Sequence, residues 1–484
     1  MPFRIAAKTM LSLCLLAATA HAQSNPASSS PNPADPPTAA PQLTLFPHRD
    51  SARWLLSGQA NIIFQAHPGF HSPYSGPNSL LAHGEYKTSL VGTLFTGLQL
   101  HHNLRYNTDA IFDLESAGGR GISEALGLAG FTNLDVVRNP QLGPIPYVAR
   151  AQIHQTIGLT SKLIDAQRTQ YSLATKVPAR RLDLRIGKIS LPDIFDVNNP
   201  GADSHLQFLN WTVDNNGAYD YAADTRGYTY AAILEYDDHN LSLRYGMALM
   251  PTIANGIDLQ SSLRKARGDN YELDYARTPF AKFLDPQHKG AVRLLGFVNH
   301  ANMGDYREAN QAALAARANG DPAAVPVITA HPFRTTVKYG VGLNFEQELP
   351  ADLRLFGRFG WNEGQHESYA YTEVDQTFEL GADLAGNRLH LWGRSRPNDK
   401  LGIVGVTNAI KRDHQQYLAL GGLGFLLGDG RLNYAREDIL ETYYTTHNWR
   451  GLFTSLDAQL IAHPGYNHDR GPVAVFSVRT HVDF

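Results

Sequence analysis

Apolar and polar residues alternate strictly along the last segment of the chain. In an extended strand, successive side chains point to opposite faces, so this alternation predicts one apolar face and one polar face. The apolar face would carry Phe476, Val478, Thr480, Val482 and Phe484, and the polar face would carry Ser477, Arg479, His481 and Asp483. A soluble β-sandwich would bury the apolar face, whereas a membrane β-barrel would present it to lipid.

The same period-two pattern recurs in four other segments, at residues 103–112, 181–186, 241–245 and 353–362. Each places leucine or aromatic residues between polar residues, most of them charged or amide. No apolar run approaches the roughly 20 residues that a membrane-spanning helix needs. We count about 16 such strands, a size at which a closed barrel leaves an aqueous channel.

Connections of two different lengths join these segments. Tight reversals are predicted at residues 237–240, 349–352 and 385–387, and the dipeptide Asp429-Gly430 is a strong hairpin signal. Long connections are predicted at residues 67–86, 116–150, 190–227, 251–289 and 304–334, with a short helix from Arg307 to Gly320. Short periplasmic turns and long extracellular loops are typical of outer-membrane proteins. The pattern therefore predicts an all-β fold, a transmembrane antiparallel β-barrel.

The N-terminal residues predict export. Residues 1–22 have a basic start, a short apolar core and the A-x-A site Ala20-His21-Ala22, so we expect signal-peptide cleavage near Ala22 and localisation to the bacterial outer membrane. Residues 23–47 are rich in Pro, Ala and Ser, which predicts a flexible linker. Residues 48–484 would then form the barrel domain.

Composition and motifs exclude several other classes of protein. The formal net charge is −3, so the chain has no overall basic field that would recruit nucleic acid. Cys14, the only cysteine, lies in the predicted signal peptide, which excludes thiol catalysis from the mature chain. The sequence has no H-E-x-x-H, G-x-S-x-G or phosphate-binding motif. Glu437 and Glu441 would lie about 13 Å apart on a strand, too far for a glycosidase pair. We expect no catalytic residue, metal or cofactor.

Three segments resemble one known family. The ending HPGYNHDRGPVAVFSVRTHVDF resembles that of the carbohydrate-selective porins called OprB, with residues 464–471 and then Arg479, His481 and Phe484 in place. An earlier segment is similar to the family at Gly187, Lys188, Asp193, Phe195, Asp196, Asn198, Phe208, Asn210, Trp211, Gly217, Ala218 and Tyr219. A late E-x-x-x-E-x-Y-Y stretch matches at Glu437, Glu441, Tyr443 and Tyr444. The resemblance implies a trimeric, 16-stranded barrel that passes sugars across the outer membrane.

The segment from Asp193 to Trp211 is the predicted pore-narrowing loop. A sugar channel needs polar groups that replace water around hydroxyls and aromatic faces that stack on pyranose rings. We expect Trp211 to stack on sugars, and we expect polar contacts from Asp193, Asp196, Asn198, Asn199, Asp203 and Asn210. The alternative is that the residues from Asp196 to Asn199 only turn the chain and that Trp211 packs the loop on the wall.

Inward-facing arginines are a second group of candidates for the constriction. They are Arg105, Arg185, Arg244, Arg354 and Arg358. If acidic groups opposed them across the lumen, the two sets would create a transverse field that orients polar solutes. Alternatively, each arginine pairs with an acidic neighbour and braces the wall.

These observations predict a porin for the passive diffusion of mono- or small oligosaccharides into the periplasm. Its expected partners are outer-membrane lipid, sugar solutes, further copies in a homotrimer, and the outer-membrane assembly machinery, which would read the terminal Phe484. Two alternatives stay open. One is an exporter barrel for an acidic polysaccharide, which a markedly basic lumen would favour. The other is a structural or adhesive outer-membrane barrel with a plugged lumen.

Overall fold

The computed structural model describes residues 43–103, 105–137, 142–278, 283–284, 288–391 and 393–484. The predicted signal peptide, residues 1–22, lies outside this described part, as do residues 23–42 of the predicted linker, so both stay predictions. All elements named below belong to one unit of the chain, Gln42–Phe484.

The described residues form a closed antiparallel barrel of sixteen strands, as the alternating pattern predicted. The barrel strands are β1 (Trp54–His67), β2 (Glu85–His102), β3 (Tyr106–Gly119), β4 (Tyr147–Gly158), β7 (Arg180–Ile189), β8 (Thr229–Asp238), β9 (Leu241–Ala248), β10 (Arg267–Tyr275), β11 (Gly290–Ala301), β12 (Thr336–Leu349), β13 (Leu353–Asn362), β14 (Gln376–Ala385), β17 (Lys400–Ala409), β18 (Glu437–Trp449), β19 (Leu452–Ala462) and β20 (Val473–Asp483). Two short hairpins stand apart from the barrel sheet: β5 (Leu163–Asp165) with β6 (Lys176–Pro178), and β15 (His390–Leu391) with β16 (Arg394–Ser395). Strand β1 pairs with β20 and closes the barrel, with Gln59 opposite Asp483.

The two ends of the barrel carry different connections. At one end, called the loop end, the connections are residues 68–84 (L1), 120–146 (L2), 190–228 (L3), 249–266 (L4), 302–335 (L5), 363–375 (L6), 410–436 (L7) and 463–472 (L8). At the other, called the turn end, they are residues 103–105, 159–179, 239–240, 276–289, 350–352, 386–399 and 450–451. The reversals predicted at 237–240 and 349–352 are confirmed. The tight reversal predicted at 385–387 was wrong, because the hairpin β15–β16 lengthens that connection.

Two further sequence predictions were wrong. The predicted connection 251–289 contains strand β10, whose outward side chains become apolar only from Tyr271 onward, so its alternation is incomplete. The dipeptide Asp429-Gly430 does not join two strands but lies within L7. There the Asp429 carboxylate accepts hydrogen bonds from Arg470 at 2.8 Å and from Asn467 at 2.9 Å, both in L8.

Three α-helices are described, and all lie in loop-end connections. They are α1 (Trp211–Asp214) in L3, α2 (Tyr306–Ala318) in L5 and α3 (Arg412–Ala419) in L7. Helix α2 confirms the helix predicted from Arg307 to Gly320, and the Asp305 side chain caps it by accepting a hydrogen bond from the Glu308 amide. Within the described ranges, none of the helices has the length and apolarity needed to span a bilayer.

Side-chain burial follows the predicted alternation, and β20 shows it most clearly. Phe476 is 55% exposed on the outside, whereas Arg479 on the inner face is fully buried. The apolar core lies inside the barrel, where the loop-end connections pack against one another. It includes Phe131 of L2, Phe208 of L3, Leu426 of L7 and Tyr466 of L8. Loop residues therefore fill part of the lumen, and the space that is left is lined by residues of both loops and strands.

Candidate functional site

Loop L3 folds into the barrel and is fastened there by Arg358 of β13. The fully buried Arg358 guanidinium forms ion pairs with Asp196 of L3 at 2.7 Å and with Glu379 of β14 at 2.8 Å. It also donates a hydrogen bond of 2.6 Å to the Val213 carbonyl, further along the loop in helix α1. Arg358 and Asp196 therefore hold L3 against the wall; neither lines the cavity described below.

Asn198 and Asn199 continue the attachment of L3 to the wall. The Asn198 side-chain amide donates to Asn344 of β12 at 2.9 Å. Asn199 donates from its backbone and side-chain amides to the Glu346 carboxylate, at 3.0 and 2.9 Å. Both asparagines thus anchor L3 to β12.

The end of the same loop segment is held by Asn210 and by a buried glutamate of β18. The Glu441 carboxylate accepts hydrogen bonds from the Leu209 amide at 2.5 Å and from the Asn210 amide at 3.3 Å. The Asn210 side chain caps helix α1 and also donates to the Gly130 carbonyl of L2 at 3.0 Å. Asn210 therefore joins L3 to L2 and does not line the cavity.

A cavity of about 550 Å³ lies inside the barrel beside L3. Trp211, Tyr221 and Tyr371 give it an aromatic wall. The rings of Trp211 and Tyr371 are nearly parallel, with centroids 5.8 Å apart, and the Tyr221 and Tyr371 centroids are 4.8 Å apart. The Trp211 indole donates to the Asn133 carbonyl at 2.8 Å, and the Tyr371 hydroxyl donates to the Trp211 carbonyl. These bonds fix the aromatic wall in orientation.

Charged side chains line the rest of the cavity, and among the described residues the carboxylates outnumber the arginines. The lining residues with charge are Glu115, Asp135, Asp193, Asp203, Asp214, Asp224, Asp483, Arg150 and Arg226. Asp193 forms an ion pair of 2.6 Å with Arg150, and Lys400 approaches Asp203 to 3.6 Å. The Glu115 carboxylate instead accepts hydrogen bonds from Tyr147 at 2.5 Å and from Tyr228 at 3.0 Å. Polar groups and aromatic faces thus meet in one enclosure.

Two carboxylates of L3, Asp203 and Asp214, have very different pKa values. Burial, opposed by Arg358 and reinforced by Asp203 and Asp135, raises the pKa of Asp214 to about 7. Burial also favours the protonated form of Asp203, but Lys400 and the neighbouring His205 outweigh burial and lower its pKa to about 2. Asp203 is therefore a permanent negative charge, whereas the charge on Asp214 varies around neutral pH.

The predicted arginines occupy three different settings. Arg185 and Arg244 both pair with Glu235 on the wall, at 2.9 and 2.8 Å, and Arg354 pairs with Asp383. These three brace neighbouring strands, as the alternative interpretation stated. Arg105 was misplaced by the sequence pattern: it lies exposed in the turn-end connection 103–105, because β3 begins at Tyr106. The register of the alternation was right, but its extent was too long.

One group of carboxylates has the spacing of a metal site. Ligand atoms of Asp183, Glu235 and Asp237 lie within 4.8 Å of one another. Arg181 pairs with Asp183 at 2.7 Å and with Asp237 at 2.8 Å. Since Arg185 and Arg244 neutralise Glu235, the charge that would attract a cation is already compensated.

Sequence reasoning missed several lining residues. Asp214 and Tyr221 lie just beyond the predicted loop segment, in a stretch rich in aromatic and acidic residues. That composition could have predicted that the stretch lines the cavity. Tyr371 gave no such signal, because L6 is brought inward by long-range bonds. The amides of Tyr369 and Ala370 donate to the Asp220 carboxylate at 3.0 and 2.8 Å.

The chain is similar to known proteins in sequence family and in structure. The model of the family described as carbohydrate-selective porin, OprB family, matches residues 94–484. The high-pH structure of Pseudomonas putida OprB is similar with a TM-score of 0.61 and 14% identity, over 89% of this chain and 94% of that one. The outer-membrane channel DcaP of Acinetobacter baumannii gives a TM-score of 0.47 and 8% identity, over 91% of this chain and 100% of that one. The comparison with curated proteins found no match. Since the family model covers most of the chain, the protein belongs to the OprB family of carbohydrate-selective porins.

Proposed function

We propose that the barrel passes mono- and small oligosaccharides by passive diffusion through the cavity beside L3, from the loop end to the turn end and thus into the periplasm. The observation that supports this most is the joint lining of the cavity. Trp211, Tyr221 and Tyr371 line it with aromatic rings, which would stack on the apolar face of a pyranose ring, and carboxylates such as Asp203 would accept hydrogen bonds from hydroxyls.

The charge of the lining separates this proposal from the polysaccharide exporter. An acidic polymer needs a basic path, but the carboxylates of the cavity outnumber its arginines. Neutral sugars do not suffer that repulsion, and they gain hydrogen-bond acceptors. The acidic lining therefore favours neutral solutes over anionic ones.

A structural barrel with a plugged lumen is the second candidate, because loop residues fill part of the lumen. Buried side chains of L2, L3, L7 and L8 form an apolar core within the lumen. If the loops closed the barrel completely, the protein would show no single-channel conductance in a planar bilayer.

Liposome swelling tests the proposal directly. Proteoliposomes would be exposed to sugars of increasing size and to amino acids of matched size. We expect rapid swelling with monosaccharides, slower swelling with disaccharides and weak swelling with amino acids. Equal rates for sugars and amino acids of the same size would refute sugar selectivity, and the absence of swelling and conductance together would support the plugged barrel.

The oligomeric state and the assembly partner remain predictions. Apolar side chains such as Leu234, Val341 and Leu456 point outward from the strands and suit contact with lipid or with another copy. Crosslinking of the protein in native membranes, followed by electrophoresis, would show whether a trimer forms.

A further inference from the structure

The turn-end connection 159–179 folds back toward the interior of the barrel. Its hairpin β5–β6 pairs Leu163 with Pro178, and the ten residues between the two strands, 166–175, are called the inserted tip. The Thr169 amide donates to the Ser172 carbonyl at 2.9 Å and makes the tip reverse tightly. A connection that served only to reverse the chain would not need this length, since residues 239–240 suffice between β8 and β9.

Two inward contacts seat the tip against the wall. The Leu173 amide donates to the buried Asp109 carboxylate of β3 at 2.9 Å, and the Leu173 side chain is 2% exposed. Opposite it stands Gly97 of β2, where an added Cβ would lie 2.8 Å from a Leu173 methyl group. The missing side chain at Gly97 makes the space that Leu173 fills.

A third contact fastens the tip to the start of the barrel. The Arg168 guanidinium donates to the backbone carbonyls of Asp50, Ala52 and Trp54, at 3.1, 2.5 and 2.6 Å. Charge-assisted bonds to three carbonyls of one segment fix the position of the tip more firmly than neutral bonds would. The tip is thus held on two sides.

Beyond these anchors, Tyr171 meets the loop-end structures. The Arg150 guanidinium lies 5.1 Å from the centroid of the Tyr171 ring and 5.4 Å from that of Tyr228, which precedes β8. The same guanidinium forms the ion pair with Asp193 of L3. Tyr171 and its neighbour Gln170 line the same cavity as Trp211 and Tyr371. The inserted tip and L3 therefore approach one cavity from opposite ends of the barrel.

From this arrangement we infer that the inserted tip forms a second constriction of the permeation path, and that Tyr171 contacts the passing sugar and contributes to size selectivity. This inference rests on the proposed function. Solutes that pass the aromatic wall formed by L3 and L6 then meet the Tyr171 ring and the Gln170 amide, which again pair an aromatic ring with a hydrogen-bonding group.

The test compares Tyr171→Ala with Tyr106→Ala, since Tyr106 is also at the turn end but points outward, 42% exposed. We expect Tyr171→Ala to raise single-channel conductance on the order of twofold and to raise the swelling rate with a trisaccharide relative to glucose, because a constricting ring is removed. Tyr171→Phe keeps the ring and should retain the wild-type size limit. Heat-modifiable migration in electrophoresis would confirm that each barrel is folded.

The outcomes separate the inference from the proposed function. If wild-type protein passes sugars and Tyr171→Ala behaves like Tyr106→Ala, the inference is refuted and the proposed function stands. If wild-type protein conducts ions but excludes sugars, the proposed function fails, and the conductance of Tyr171→Ala still decides whether the tip constricts the path. If Tyr171→Ala does not fold, Arg168→Ala, which releases the tip from the carbonyls, must raise the conductance for the inference to survive.

Discussion

Replacing Arg358 with methionine should destabilise the barrel and widen its lumen. The substitution keeps much of the side-chain length but removes the charge that lies between Asp196 and Glu379. All three side chains are essentially buried, so water cannot compensate either carboxylate. Removing one partner of a buried ion pair costs about 3–5 kcal/mol, and this sets the expected loss in free energy of unfolding.

Two measurements follow from the geometry. Equilibrium unfolding in urea, followed by tryptophan fluorescence, would give the loss of stability. Single-channel recording would give the change in conductance, because L3 loses its bonds to Arg358 at both Asp196 and Val213. The matched control is Lys176→Met, since Lys176 and its partner Asp165 are largely exposed and 3.9 Å apart, and exposed pairs contribute about 0–1 kcal/mol.

A double-mutant cycle separates the ion pair from a general packing defect. If Arg358→Met is combined with Glu379→Gln, the paired change should cost less than the sum of the single changes, by about 0.5–3 kcal/mol. Additive effects, or a single-variant loss below that of Lys176→Met, would refute the view that Arg358 holds L3 electrostatically.

Three further predictions concern the cavity and the closure of the barrel. Trp211→Ala should weaken the block of ionic current by sugars several-fold in planar-bilayer recordings, because it removes a ring of the cavity lining. The size of the effect is set by analogy with base–aromatic stacking, which contributes roughly 1–3 kcal/mol. The control Trp449→Ala alters an outward residue and should leave the block unchanged. Folding raises the pKa of Asp214 to about 7, so ionisation of Asp214 destabilises the folded protein. The contribution of Asp214 to the free energy of unfolding therefore falls as pH rises from about 4 to 7. Over pH 6 to 8 it gains a negative charge, so reversal potentials should show rising cation selectivity, and Asp214→Asn should abolish that rise. Deletion of Phe484 removes two backbone hydrogen bonds of 2.8 Å to Gly58 and the predicted assembly signal, so membrane levels should fall more than conductance per inserted channel; normal membrane levels would contradict this.

The barrel was predictable because most strands alternate between apolar residues on one face and polar residues on the other. In β20, residues such as Phe476 and Arg479 alternate without interruption, and the lipid and the lumen demand opposite chemistry. The prediction of strand positions failed where the alternation of apolar and polar residues is incomplete or extends beyond the barrel wall. In β10 only the residues from Tyr271 onward have apolar outward side chains, and Arg105 lies just beyond the point where the wall ends.

The candidate site was only partly predictable, because a polar loop residue has the same identity whether it lines a cavity or anchors the chain. Asp196 and Asp214 belong to one loop, yet Asp196 is paired with Arg358 and Asp214 faces the cavity. The partner that decides the role lies 162 positions away for Asp196. Tyr171 was missed for the same reason: no local pattern shows that a turn-end connection will fold inward.

The residues that carry the family resemblance mainly organise the loops. Glu437 accepts hydrogen bonds from the amides of Ala129, Gly130 and Gly465, and so ties L2 to L8, while Glu441 holds L3. A carboxylate that satisfies several buried amides has no equivalent substitute, and leaving those amides unpaired would cost about 1–3 kcal/mol each. Lining residues such as Asp203 and Tyr371 face open space on one side, so another side chain there would change the solute contacts more than the fold. On this physical ground, glutamates of the motifs such as Glu437 and Glu441 hold the loops inside the lumen, and the lining of the cavity is where we propose that sugars are selected.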